Sequence, residues 1–190
     1  VITKDAKSDE GLFTVHKVDE KYFYEIPDSL FNREMLTVTR IAKTANGIGF
    51  GGGKQNTQVH RWQKKGNKVL LRVVSYDIYA ADSLPVHEAV VNSNFEPIVE
   101  SFDIKTVGKD SISKSTVIDV TDLYTKDVQA LGLPDRTRKQ YKVSRLDDNR
   151  SYIDTIRSYP ENIEIRHVKT YNAGDPPSNQ SLGSISLEFS

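Results

Sequence analysis

Four histidines, one glycine-rich stretch and three acid pairs are the residues of this 190-residue chain whose types suit chemistry. His16, His60, His87 and His167 lie far apart in sequence. No two have the short spacing by which a helix or turn presents two ligands to zinc. Three fall in strand-like runs, where distant residues can converge on a metal; the alternative is a set of lone surface or half-buried histidines. His87-Glu88 begins like the helical zinc-peptidase motif H-E-x-x-H, in which two histidines one turn apart bind the metal and the glutamate acts as base. The fifth position is Val91, so the second ligand is missing. No metal site is expected within this chain.

Gly47-Ile48-Gly49-Phe50-Gly51-Gly52-Gly53-Lys54 holds five of the 11 glycines. Gly47, Gly49 and Gly52 satisfy G-x-G-x-x-G by count. A dinucleotide-binding loop must open a helix, so that helical N–H groups meet the pyrophosphate, but Thr57 to Gln63 reads as strand. A phosphate loop ending in Gly53-Lys54 would need Gly at position 48 and Ser or Thr at 55; Ile48 and Gln55 stand there. The stretch predicts a surface loop, or a place where another backbone approaches closely. With no G-x-S-x-G and no cysteine, nucleophilic catalysis has no foothold. Asp119 with Asp122, Asp147 with Asp148 and Glu161 with Glu164 read as solvated loop ends or caps rather than the two acids of a glycosidase. No catalytic or cofactor-binding residue is assigned.

The elements that must position these residues are mostly strands. Leu12–His16 and Lys21–Ile26 flank the polar Lys17–Glu20 as a hairpin, and Met35–Ile41 alternates with Leu36 and Val38 on one face. Thr57–Gln63 and Lys68–Tyr76 flank Lys64-Lys65-Gly66-Asn67 as the clearest hairpin. Apolar residues on both faces of Val69–Val74 predict a central strand covered on both sides. Phe102–Val107 and Thr116–Val120 form another hairpin. Short helices are expected at Pro85–Val91, at Thr125–Leu131 with Val128 and Leu131 inward, and at Ser151–Ser158 with Ile153 and Ile156 inward. Asn162–Tyr171 and Gly183–Phe189 close the chain as strands. The expected fold is mainly β (α+β): an antiparallel bent sheet or sandwich with two or three short helices. Residues 1–41 read as a small N-terminal lead-in unit and 42–190 as the main domain.

Bulk composition excludes several function classes. Twenty-six basic and 26 acidic residues balance, whereas a nucleic-acid or membrane-surface role needs a strong basic footprint. The basic run of Arg136, Arg138, Lys139, Lys142, Arg145 and Arg150 is therefore read as a solvated face or a salt-bridged contact with another domain. No apolar run approaches the ~20 residues of a membrane span. Ser184–Phe189 alternates up to the last residues, which predicts one piece of a longer polypeptide.

Several passages, in order, resemble one family. Gly11-Leu12-Phe13-Thr14-Val15-His16-Lys17-Val18-Asp19-Glu20-Lys21-Tyr22-Phe23-Tyr24-Glu25-Ile26-Pro27 looks like the opening of the non-catalytic N-terminal region of a bacterial secreted-type zinc metallopeptidase family. Asn46-Gly47-Ile48-Gly49-Phe50-Gly51-Gly52, Gln58-Val59-His60-Arg61-Trp62, Asn94-Phe95-Glu96-Pro97-Ile98, Asp119-Val120-Thr121-Asp122-Leu123-Tyr124 and Tyr159-Pro160-Glu161-Asn162-Ile163-Glu164 match successive segments. The resemblance covers nearly the whole chain and spans two adjoining domains of unknown function. It implies a downstream catalytic domain with an extended H-E-x-x-H-x-x-G-x-x-H motif, zinc bound there, and a periplasmic, cell-envelope or extracellular location. No residue of this chain matches that motif. The resemblance therefore implies a non-catalytic accessory domain, without enzyme activity or cofactor of its own. Its partners would be the catalytic domain of the same polypeptide and a peptide or protein substrate, with no nucleic acid and no membrane insertion. The expected interaction surface is Gly49, Gly51, Gly52, Trp62, Arg136, Arg138 and Arg145. The alternative is a carbohydrate- or peptide-binding β module with Trp62, Tyr76 and Tyr79 as a stacking platform.

Overall fold

The computed structural model describes residues 1–108, 114–177 and 183–190. Among them, twelve strands form one antiparallel sheet: β1 (Lys7–Asp9), β2 (Thr14–Val18), β3 (Lys21–Pro27), β4 (Glu34–Lys43), β5 (Lys54–Lys65), β6 (Lys68–Val74), β7 (Ile98–Val107), β8 (Ser115–Asp119), β9 (Val143–Leu146), β10 (Tyr152–Ser158), β11 (Ile163–Ala173) and β12 (Ser184–Phe189). Their spatial order is β1-β2-β3-β8-β7-β6-β5-β4-β12-β11-β10, with β9 also paired to β11. The fold is mainly β, as expected, with three short helices: α1 (His87–Ser93), α2 (Thr121–Thr125) and α3 (Asp135–Gln140). Residues 1–41 supply β1, β2, β3 and most of β4, with β3 paired to β8 and β4 to both β5 and β12.

The sheet curls until its two ends meet. The Leu12 N–H donates to the Tyr159 carbonyl at 2.7 Å, and the Ser158 N–H donates to the Asp9 carboxylate at 2.9 Å. The Ser158 hydroxyl donates to the Phe13 carbonyl at 2.6 Å. Gly11 is required at this seam: a Cβ there would lie 2.5 Å from Ser158 Oγ and 2.6 Å from the Tyr159 carbonyl. Bringing the ends together shields edges that would otherwise offer unpaired backbone groups.

Inside the curl, Phe13, Tyr24, Trp62 and Phe102 pack edge-on or tilted, with ring centroids between 5.5 and 6.2 Å apart for neighbouring pairs. Such geometry satisfies the ring quadrupoles as well as burying area. A second core gathers Ile41, Leu133, Tyr171, Ile185, Leu187 and Phe189 around β11 and β12. Residues Val69 to Leu71 of β6 are buried on both faces, as its sequence predicts.

Two helix expectations are corrected. Ser151–Ser158 is not a helix; Tyr152–Ser158 is β10. The pairing of β10 with β11 skips Asp154, a bulge between Ile153 and Thr155. A bulge adds one residue to one strand, so Ile153 and Ile156 reach the same face three positions apart and imitate helical spacing. Thr125–Leu131 is likewise not one helix. α2 ends at Thr125, and Gln129–Leu131 is a single 3-10 turn. Just ahead of α2 the Asp119 carboxylate accepts the Thr121 N–H at 3.0 Å. Val128 and Leu131 are nevertheless buried. The Pro85–Val91 expectation falls two residues early, since α1 begins at His87.

Candidate functional site

The most distinctive feature is a cavity between β4 and β11, in line with the end of β12. It has a volume of about 750 Å³ and is lined by every residue from Glu34 to Arg40 and every residue from Glu161 to His167. Side chains of a strand alternate between faces, so a cavity against one face would meet every second residue. Contact with consecutive residues means that the cavity lies against the strands' edges. β12 separates β4 from β11, but it pairs with β4 only at Lys43 and Ile41 and with β11 only from His167 onward. Ser190 exchanges both backbone hydrogen bonds with Arg40, at 2.7 and 2.9 Å. Ser190 is the last residue of the sequence, and the cavity lies in line with β12 beyond it.

Backbone parity shows which groups face the gap. In an antiparallel strand, successive residues aim their N–H and C=O to opposite neighbours. Arg40 aims toward β12, so Val38 and Leu36 aim the same way, into the gap. On β11, Asn162 and Thr170 turn toward the β10 and β9 side, through bonds to Tyr159 and Asp147. Ile163 and Ile165 therefore face the gap from the other wall. The result is a slot one strand wide, with unpaired backbone rows on both sides.

Its inner wall is apolar and charge-poor. Trp62, Leu71, Leu123 and Leu131 contribute, beside Tyr24 and Tyr124, whose hydroxyls bond at 2.8 Å. Burial pushes the Tyr124 hydroxyl up to about 12. Two histidines look into the same space. His60 is held by Thr37 Oγ1 at 2.8 Å and Gln58 Oε1 at 3.2 Å, and burial lowers it to about 4. His167 stacks on Phe189 with centroids 5.4 Å apart. Burial first, then the nearby Lys169 charge, lowers it to about 3, and its Nδ1 has no hydrogen-bond partner. Both imidazoles are neutral at physiological pH.

The remaining histidines lie elsewhere. His16 bridges Ser8 Oγ at 2.7 Å and Glu25 Oε2 at 3.0 Å, and His87 Nδ1 meets the Ala80 carbonyl at 2.9 Å. Among the described residues, no three His, Asp or Glu side chains cluster closely enough to hold a metal ion, and no helix is long and apolar enough to cross a membrane. The acid pairs serve local structure. Asp119 accepts the Thr121 N–H and lies 3.6 Å from Lys21, Asp147 accepts from Arg150 at 2.9 Å, and Asp148 lies 3.8 Å from Lys126. Glu161 and Glu164 stand on the slot's rim.

The residues expected to form one interaction surface are scattered. Gly49, Gly51 and Gly52 lie in the β4–β5 connection. Gly49 and Gly52 have φ of 101° and 89°, and Gly51 presses on the Ala42 carbonyl, where no Cβ fits. The glycines therefore serve chain reversal and close backbone approach. Trp62 is not on the surface: it is 6% exposed inside the core. It cannot join Tyr76 and Tyr79, which are exposed, in a stacking platform. Its position on β5 directs it inward beside His60. Arg136 and Arg145 are exposed, but Arg138 is turned inward. It clamps Asp127 with two bonds of 2.6 and 2.8 Å and lies over the Tyr171 ring at 5.1 Å. Those bonds hold the Asp127 carboxyl below its usual range. Sequence reasoning located the strands bearing Leu36, Val38, Ile163 and Ile165. It missed the slot because which edges lack a neighbour is a property of non-local pairing.

Comparison with known proteins gives two family-model matches. Residues 52–190 match a domain of unknown function, DUF5117, and residues 1–44 match another, DUF5118. Comparisons with curated proteins and with solved structures returned no match. Since the first match takes in nearly three quarters of the chain, this protein belongs to the DUF5117 family, with a DUF5118 segment preceding it.

Proposed function

We propose that this chain is a non-catalytic accessory module that packs on and supports a neighbouring catalytic domain. The observation that supports this reading is the excursion between β6 and β7. There Tyr76, Ile78, Tyr79, Leu84, Val91 and Phe95 are each half exposed or more. Scattered apolar residues are normal on a protein surface, whereas a concentration of them marks an interaction site. α1 lies in this excursion and buries none of its own residues. Its exposed apolar groups therefore serve something outside this chain's core. The resemblance to the N-terminal region of zinc metallopeptidases supplies the partner: a zinc-dependent peptidase domain of the same polypeptide, in the periplasm, cell envelope or medium. The zinc belongs to that partner.

Peptidase activity is the test, measured with zinc on this chain, on the catalytic domain and on the two together. The chain alone is expected to be inert, and its addition is expected to change the catalytic domain's activity or thermal stability. Activity in the isolated chain, or no effect of adding it, sinks the reading.

A further inference from the structure

The two family matches divide the chain between residues 44 and 52, but the sheet does not divide there. We infer that residues 52–190 carry a docking surface whose partner is the segment 1–44. The two are halves of one fold, and the segment docks from its own chain when tethered or from a second copy when the connection is cut. This goes beyond the accessory reading and does not rest on it.

Topology carries the inference. β5, β6, β7 and β8 form a meander in which each strand pairs with the next. β3 pairs with one side of it, from Phe23 opposite Asp119 to Pro27 opposite Ser115. β4 pairs with the other side, from Glu34 opposite Arg61 to Arg40 opposite Lys54. β3 and β4 follow each other in sequence, yet the whole meander stands between them. Within the segment alone, β4 has no neighbour. A chain of roughly 40 residues also buries too little surface to fold without staples or a partner, and this one has no cysteine to staple it.

The surface that receives the segment is apolar. Trp62, Leu71, Phe102, Ile118 and Leu123 share one core with Phe13, Tyr24 and Ile26. Ile26 and Ile118 have no exposed area. Taking the segment away would bare that face and open the edges of β5 and β8, the condition under which an extended strand adds to a sheet. Polar groups set the register. The Tyr24 and Tyr124 hydroxyls bond at 2.8 Å, the Tyr22 N–H donates to Thr121 Oγ1 at 2.9 Å, and the Ser115 hydroxyl donates to the Glu25 carboxylate. The tether contributes little of its own at its tip. No atom lies within 4 Å of where a Cβ on Gly49 would be, and Phe50 is 97% exposed. Exposed tips with small residues are where chains are most readily cut. Cutting there lowers the segment's effective concentration but removes none of the contacts that seat it.

The test inserts a recognition sequence for a site-specific protease between Gly49 and Phe50 of the full chain. Isotopically light and heavy samples are cut, mixed, unfolded in urea and refolded. The two pieces are expected to elute together at the retention of the uncut chain, with light–heavy hybrids making up about half of the particles in native mass spectrometry. Pieces that elute apart, the larger keeping a cooperative unfolding transition, overturn the inference. Hydrogen exchange on the uncut chain without the insertion is the second measurement. The slowest amides of β3 and β8 are expected to exchange within about tenfold of each other, as members of one cooperative unit. A larger difference marks two units and overturns the inference. Neither readout involves peptidase activity, so failure here is distinct from failure of the accessory role.

Discussion

At the scale of single residues, burial decides what each candidate group does. His60 and His167 have the type of a ligand or a base, but enclosure in an apolar wall holds them neutral at values of about 4 and about 3. Both lie below the unfolded value near 6.5. The unfolded chain therefore takes up protons first as pH falls, and stability is lost progressively from about pH 6.5 toward the folded values. Each histidine contributes roughly 1.4 kcal/mol per pH unit over that window. His167→Phe removes the unpaired Nδ1 and keeps an aromatic ring against Phe189. It is expected to remove about half of the histidine-linked loss between pH 6.5 and pH 4, read from urea melts at the two pH values; an unchanged pH dependence would show that His167 is not held neutral by the fold. Trp62 and Tyr79 make the complementary case. Trp62→Ala should cost about 3–5 kcal/mol as a core truncation, and Tyr79→Ser less than about 0.5 kcal/mol as a surface change. Equal costs in denaturant unfolding would contradict the burial assigned to the two.

At the scale of elements, neighbours decide what a strand offers. β4 reads in sequence as an ordinary alternating strand, and it is one. Its two sides differ: one pairs with β5 from Glu34 to Arg40, and the other pairs with β12 only as far as Arg40. The Leu36 N–H points into the slot, whereas the Thr37 N–H points to β5. Proline is tolerated in a strand only where its missing N–H is unneeded. Leu36→Pro is therefore expected to leave the chain folded, with Thr37→Pro costing at least about 2 kcal/mol more through the broken ladder and ring strain. Thermal unfolding of the two variants checks this, and the reverse order would invert the slot's backbone parity. β10 teaches the matching lesson on the helix side: the bulge at Asp154 gave a strand the three-residue spacing of a helix.

At the scale of the whole molecule, the curl of the sheet separates two kinds of surface. Its concave side is filled by the Phe13, Tyr24, Trp62 and Phe102 cluster, while the excursion between β6 and β7 carries apolar side chains outward. Under the accessory reading, the double substitution Tyr79→Ser and Phe95→Ser should leave the unfolding midpoint within about 0.5 kcal/mol of the parent's stability. It should also abolish the effect of this chain on the catalytic domain. If that effect survives intact, the excursion is not the docking surface.

The sequence by itself determined the β class, most of the strands and the both-face burial of β6. It also showed that the glycine stretch does not open a helix. These are local consequences of alternation, turn residues and glycine geometry, which a chain carries whatever it packs against. It did not reveal that Trp62 faces inward, that Arg138 clamps Asp127, or that Ser151–Ser158 is a bulged strand. Each of these depends on a pairing that only the folded chain makes: Trp62 with the distant Phe13 and Phe102, Arg138 with Asp127 eleven residues before it, and the bulged β10 with the neighbouring β11. The slot belongs wholly to the tertiary level. Only the assembled order β4-β12-β11 brings the edges of β4 and β11 to either side of the line of β12.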